Sequence, residues 1–259
     1  MLVSFRFKLH ICIWRTVRQT ILIILLCAFQ STINAQPSLE LNTTGQPPLN
    51  TQTHDGFMDE VTREALQRIG YKLVINRLPA ERGLHSTNDG LIDGEMSRVE
   101  GIDQLYTNLI RVPEKIMDWE FYIFSEKTIS LQKGWSSLEN KSIAFITGWK
   151  ILEKNVPESA TVTKTRNSHQ LFTLLKNNRV DYIIYERWGG NRVLNELELK
   201  KVKLQKPFLA SREMYIYLHN KHKAIVPLLT QALENMKSDG SYERLVQKHL
   251  SPLQNYSDS

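Results

Sequence analysis

The chain has 259 residues, with 33 Lys and Arg against 27 Asp and Glu, a net charge of +6. With 41% apolar and 23% charged residues, the composition is globular, neither disordered nor collagen-like. Only two cysteines, Cys12 and Cys27, exclude a disulfide scaffold and a Cys-rich zinc module.

The first 35 residues read as a secretory signal peptide. Arg6, Lys8, Arg15 and Arg18 make a positive start, residues 21–29 (ILIILLCAF) are apolar, and Ala35 precedes a polar stretch. That apolar run is too short for a bilayer, which needs about 20 residues. The other reading is an N-terminal anchor helix; a lipoprotein through Cys27 is disfavoured by bulky Leu26 before it. Cleavage would remove four cations, no acids and both cysteines, lowering the charge to about +2. The basic balance therefore makes no case for a polyanion partner.

Beyond the leader, strand and helix signals alternate. Ser38–Asn42 (SLELN) alternates apolar and polar residues, as a strand does. Residues 43–54 are turn-rich. Phe57, Val61, Ala65 and Ile69 recur at helical spacing, stopped by Gly70. Residues 71–76 form the next strand, 79–85 a short helix, and 91–96 a strand carrying Asp93 and Glu95. Residues 119–124 (WEFYIF) are strongly β-prone. A second series follows: strand 142–147, helix 148–155, strand 160–165, helix 168–177, buried-type strand 180–185 and helix 188–197. Residues 201–205 and 214–218 are strands, and helices 223–237 and 241–249 flank Asp239-Gly240. This alternation predicts an α/β fold with largely parallel sheets. The two series join near 121–130 and again near 205–214, with no Gly/Ser-rich linker between them.

Dinucleotide, P-loop, nucleophile-elbow and zincin motifs are absent, so no cofactor or metal is expected. His219 and His222 lack a third ligand and read as a solvated turn. Lys200, Lys201, Lys203 and Lys206 alternate with Val202 and Leu204, as on a strand with a wet face. No aromatic residues interleave with them for base stacking, so no nucleic-acid partner is expected.

An ordered set of segments resembles the extracytoplasmic solute-binding proteins of amino-acid ABC transporters (family 3). Gly45-Gln46-Pro47-Pro48 stands where that family has its PPF-like turn. Gly56-Phe57-Met58-Asp59-Glu60-Val61 resembles G-x-x-x-D-[LV], and Gly90-Leu91-Ile92-Asp93 resembles G-x-[IVL]-D. Asn108 to Pro113 precedes the first joining strand. Leu138-Glu139-Asn140-Lys141-Ser142-Ile143-Ala144 is similar to L-x-G-K-x-[IV]-A, and Asn178-Arg179-Val180-Asp181 to G-R-[VA]-D. The resemblance implies a type II periplasmic binding fold: lobe 1 from 36–122 plus 213–259, lobe 2 from 126–208, and a solute held between them.

The family's ligand arginine, about a dozen residues after G-x-[IVL]-D, is missing. Arg98, five residues after Asp93, could supply the same bidentate carboxylate contact, or pair with Glu95 or Glu100. Glu186 stands where the family often places an ammonium-binding Asp; its alternative is a rim ion pair with Arg187. Thr147-Gly148-Trp149 lies at a strand-to-helix turn, where free amides favour an anion and Trp149 could wall the cleft. Arg82, Glu95 and Pro48 are further ligand-facing candidates. Trp119 and Tyr122 read as joining-strand packing. The expected function is capture of a small polar solute by a monomeric periplasmic protein, for an ABC-type permease. The alternatives are a sensory or orphan binding domain, and a dehydratase-like enzyme using Glu95 or Glu186 as acid/base.

Overall fold

The structure is a computed structural model and describes residues 36–256. The expected leader, with Cys12 and Cys27, lies outside the described residues. In chain order the regular elements are β1 (Ser38–Asn42), α1 (Phe57–Arg68), β2 (Lys72–Asn76), α2 (Ala80–Asn88), β3 (Gly94–Val99) and β4 (Leu109–Arg111). Then come β5 (Met117–Ser125), β6 (Ser142–Ile146), α3 (Lys150–Asn155), β7 (Thr161–Thr165), α4 (Ser168–Lys176) and β8 (Tyr182–Glu186). The last are α5 (Arg187–Glu196), β9 (Lys203–His219), α6 (Val226–Ser238) and α7 (Ser241–His249).

All the strands join in one path, β2-β1-β3-β9-β5-β8-β6-β7, with β4 beside β9. Pairing is parallel within each end: β1 lies between β2 and β3, and β6 between β7 and β8. In the middle it is antiparallel, β9 against β3, β4 and β5, and β5 against β8. The expectation of largely parallel sheets is therefore corrected to a mixed sheet. The cause is the return of the chain: β5 carries it out of the first series and β9 carries it back, so the two run in opposite directions.

Strand β9 also replaces two expected short strands. It is continuous over 17 residues. Its ladder with β5 breaks where Phe121 faces Ala210 and Ile123 faces Gln205, so residues 206–209 leave the pairing. Pro207 lies in that stretch and has no N–H to give a ladder. Strand β3 begins later than expected, at Gly94, because Asp93 is spent before it: its carboxylate accepts from the Glu40 amide at 2.8 Å.

Apolar burial divides the structure along these joining strands. On one face of the first series, a cluster draws Leu39, Leu41, Phe57, Val61, Leu66 and Met96 together with Ile216, Leu229 and Leu233 from the far end of the sequence, and on the other face Leu84, Leu109, Tyr215 and Tyr217 form a smaller one. The other series has two clusters, one on each face of its sheet. Along β8, Ile183 and Tyr185 enter one cluster while Tyr182 and Ile184 enter the other. A strand covered on both faces reads as an unbroken apolar run, which is why VDYIIY shows no alternation.

The segments that carry the family likeness have local physical causes. Asp59, fully buried, accepts from the Gly56 amide at 3.0 Å, the Thr51 amide at 2.9 Å and Asn50 Nδ2 at 2.6 Å. It thus ties the turn before α1 to the first turn of the helix. Asn140 and Asn178 stand where the family pattern has glycine, and both are left-handed, at φ 58° and 54°. Asparagine is among the few residues that visit that region readily.

Candidate functional site

Trp119 on β5 lies directly opposite Arg212 on β9, and Met117 opposite Met214. Alternation then puts Trp119 and Phe121 on the same face as Arg212 and Met214. This face lines a cavity of about 440 Å³. Arg98 and Val99, at the end of β3, close it from the first series. Gly148, Trp149, Lys150 and Ile151, at the turn from β6 into α3, close it from the second. Two parts of the wall thus come from the C-terminal ends of β3 and β6, strands with parallel partners, the usual ligand position in open α/β sheets, and the rest from the antiparallel pair β5 and β9.

Arg98 is held in place from below. The Glu95 side chain is buried, and its Oε2 lies 2.7 Å from Arg98 Nη2. Glu95 also accepts from Asn42 Nδ2 at 3.1 Å and from Thr87 Oγ1 at 3.3 Å. Burial pushes the Glu95 carboxyl up, and Arg98 and these donors oppose that rise. Helix α2 can approach so closely because Gly83 has no Cβ: one would sit 2.1 Å from Asn42 Nδ2 and 2.7 Å from Glu95 Oε1. Arg98 Nη2 also donates to the Ala80 carbonyl at 3.2 Å. Nη1 has no partner among the described residues. Of the two acids considered for it, Arg98 takes Glu95, while Glu100 pairs with Arg111.

Glu186 is not on this wall. It is the N-cap of α5, accepting from the Trp188 amide and, at 2.8 Å, from the Gly189 amide. Burial pushes its carboxyl up to about 7 against the pull of those amides and of Arg192 and Arg187. The expected ligand contact is thus replaced by a helix cap, and the alternative rim pair is not formed either: Arg187 reaches Glu120 at 3.4 Å and lies over the Trp188 ring.

At 147–149 the elements fall differently from the expectation. Gly148 supplies the turn with φ 85°, but its amide donates to Glu153 Oε1 at 3.2 Å. Glu153 also binds Lys150 and Lys164, which together pull it down to about 2. The chain's own carboxylate therefore occupies the amide proposed for an anion, and α3 is only a six-residue helix. Thr147 is exposed and continues the sheet through Thr165 O, away from the wall. Trp149 does wall the cavity; it stacks on Tyr185 at 4.9 Å and meets Phe121 edge-on at 5.5 Å. Arg82 is exposed on α2 and Pro48 is half-buried, its carbonyl accepting from the Phe57 amide; neither lines the cavity.

Trp119 packs against the apolar clusters of both series and also lines the cavity, with Nε1 buried and unbonded among the described residues. Tyr122 lies on the other face of β5, edge-on to Phe208. Arg212, Lys150 and Met214 were missed by sequence reasoning. Period-two spacing in Arg212-Glu213-Met214 signals a shared face, but only the β5–β9 register sets that face against Trp119. His222 pairs with Asp93 at 2.7 Å, and His219 Nδ1 accepts from the Lys221 amide. Among the described residues no three His, Cys, Asp or Glu side chains gather as metal ligands, and no helix is long and apolar enough to cross a membrane.

No protein-family model matches the chain. An uncharacterized protein of Shewanella oneidensis is 22% identical over 214 residues, 79% of this chain and 80% of that one. Among solved structures, the GluR0 ligand-binding core in complex with L-glutamate is similar, with a TM-score of 0.72, 13% identity and coverage of 84% of this chain and 100% of that one. The probable amino-acid ABC transporter extracellular-binding protein ytmK of Bacillus subtilis has a TM-score of 0.69 at 18% identity, over 83% and 98%. The fold is the type II periplasmic binding protein fold. The two series described above are joined by β5 and β9.

Proposed function

We propose that the chain is an extracytoplasmic solute-binding protein of the amino-acid ABC-transporter type (family 3). It captures a small carboxylate solute between its lobes and presents it to a membrane permease. The observation that carries this reading is the cavity wall, drawn from β3, from both joining strands and from the β6–α3 turn. Its volume of about 440 Å³ suits a small molecule, since such sites usually span roughly 300–1,000 Å³. The ligand carboxylate sits on Nη1 of Arg98, which Glu95 orients. Lobe 1 (36–122 plus 213–259) and lobe 2 (126–208) close over it by bending at β5 and β9. The leader over 1–35 directs export, and the protein acts as a monomer.

Capture rather than turnover is favoured by the state of the two candidate acids. Glu95 is held by Arg98, Asn42 and Thr87, and Glu186 by two helix amides, so neither is presented to a solute as an acid or base. The test is thermal-shift screening of the full chain against amino acids, amines and small carboxylates. A binding carboxylate raises Tm increasingly with concentration. Arg98→Ala is expected to weaken it about tenfold or more, the usual cost of a lost charged hydrogen bond. A panel in which nothing shifts Tm overturns the binding reading, and unchanged affinity in Arg98→Ala overturns the clamp.

A further inference from the structure

The charges of the cavity wall carry more information than its presence. It holds three cations, Arg98, Lys150 and Arg212, and no carboxylate. Two of the three are already compensated: Arg98 by Glu95 and Lys150 by Glu153. Arg212 is exposed, and its bond is to the neutral Ser211 carbonyl at 2.7 Å. Among the described residues it has no acidic partner. The rest of the wall is apolar and largely aromatic: Trp119, Phe121 and Trp149, with Val99 and Met214.

We infer that the solute is an organic carboxylate with an apolar or aromatic body and no α-ammonium, and that Arg212 is the residue that selects it. This rests on the solute-binding reading above and narrows its ligand. The carboxylate that Arg98 holds through Nη1 here also meets Arg212, the one wall cation whose charge is uncompensated, and the hydrocarbon body lies against Trp119 and Trp149. An ammonium on the same solute finds no acceptor acid. It would be desolvated beside the uncompensated Arg212 with no acid to accept from it, a cost that its carboxylate does not offset. Glu186 cannot serve it, because its oxygens are turned to the Trp188 and Gly189 amides. A second groove of about 650 Å³ adjoins the cavity through Val99 and Arg212 and does carry acids, Glu100 and Glu213. Both are committed, Glu100 to Arg111 and Glu213 to Lys115 at 3.0 Å.

The test is calorimetric titration of the full chain with two matched sets. One is 3-phenylpropanoate, L-phenylalanine and 2-phenylethylamine; the other is 4-methylpentanoate, L-leucine and 3-methylbutylamine. The expected result is that at least one deaminated acid binds tenfold or more tighter than its amino acid, and that the amines give no binding. Arg212→Gln is expected to weaken that acid about ten- to hundredfold, the range for a charged hydrogen bond, with partial recovery in Arg212→Lys. Arg212 is exposed, so these variants keep the fold. An amino acid that binds as well as its deaminated partner overturns the inference and leaves the solute-binding reading standing. So does binding of an amine. Unchanged affinity in Arg212→Gln overturns the role of Arg212. Silence from all six probes also overturns the inference, whereas the reading beneath it is decided by the broader thermal-shift panel.

Discussion

Glu186 shows how one side chain's surroundings decide its chemistry. A carboxylate at the end of a buried strand can face a cleft or cap the next helix, and here it caps α5. Its pKa is raised to about 7 from an ordinary 4.5. The folded chain then keeps a proton that the unfolded chain has lost, so this group's contribution makes stability fall as pH rises from about 4.5 to 7. Replacing it by glutamine keeps one amide acceptor and removes the titration. Glu186→Gln is therefore expected to lose less Tm than the wild type between about pH 5 and pH 7.5, a difference readable by circular dichroism melts. The Glu95 carboxyl, also raised, leaves a residual slope of the same sign in the variant. Parallel pH profiles for the two proteins would remove Glu186 from this role.

At the scale of elements, turn geometry explains the likeness to the family better than helix or strand propensity does. Asn178 closes α4 in the left-handed region before β8. Asn178→Val is expected to cost about 1–2 kcal/mol in chemical denaturation, the price of that conformation for an ordinary L-residue, and Asn178→Gly to be nearly neutral. Equal stability of the two variants would argue against strain at this turn. Most elements were legible from periodicity: β1 and α7 fall at their expected bounds, and α1, α4 and α5 lie within about a residue of theirs. Strand β9 was not legible as one element, because Pro207 reads as a break while pairing on either side of it keeps the strand continuous. Strand β4 is too short to show a period, and its partner lies more than a hundred residues away in β9.

For the whole molecule, the arrangement that matters is two series of strands and helices held by two adjacent strands. Arg192 on α5 also donates to the Pro47 carbonyl at 2.9 Å, a contact between the second series and the first. Closure about β5 and β9 on a bound solute would compact the chain. Small-angle scattering is expected to show a smaller radius of gyration once a Tm-raising carboxylate is saturating, with the change absent when Arg98→Ala is mixed with the same compound. A radius that stays constant on saturation would mean that binding does not drive closure.

The sequence by itself determined the alternation of strands and helices and the two series, because each depends on neighbours a few residues away; it located the segments of Asp59, Asn140 and Asn178, whereas the cap and the left-handed turns they make came from the structure. It also placed Arg98 and Trp149 among the candidates. Only the tertiary structure decided which charges are left for a solute. Glu95 takes part of Arg98, Glu153 takes Lys150 and the Gly148 amide, and two amides take Glu186, leaving Arg212 across from Trp119. Whether a charged group is spent or available depends on its partner. For Arg212 the face it presents is set by strand register, which period-two patterning leaves open.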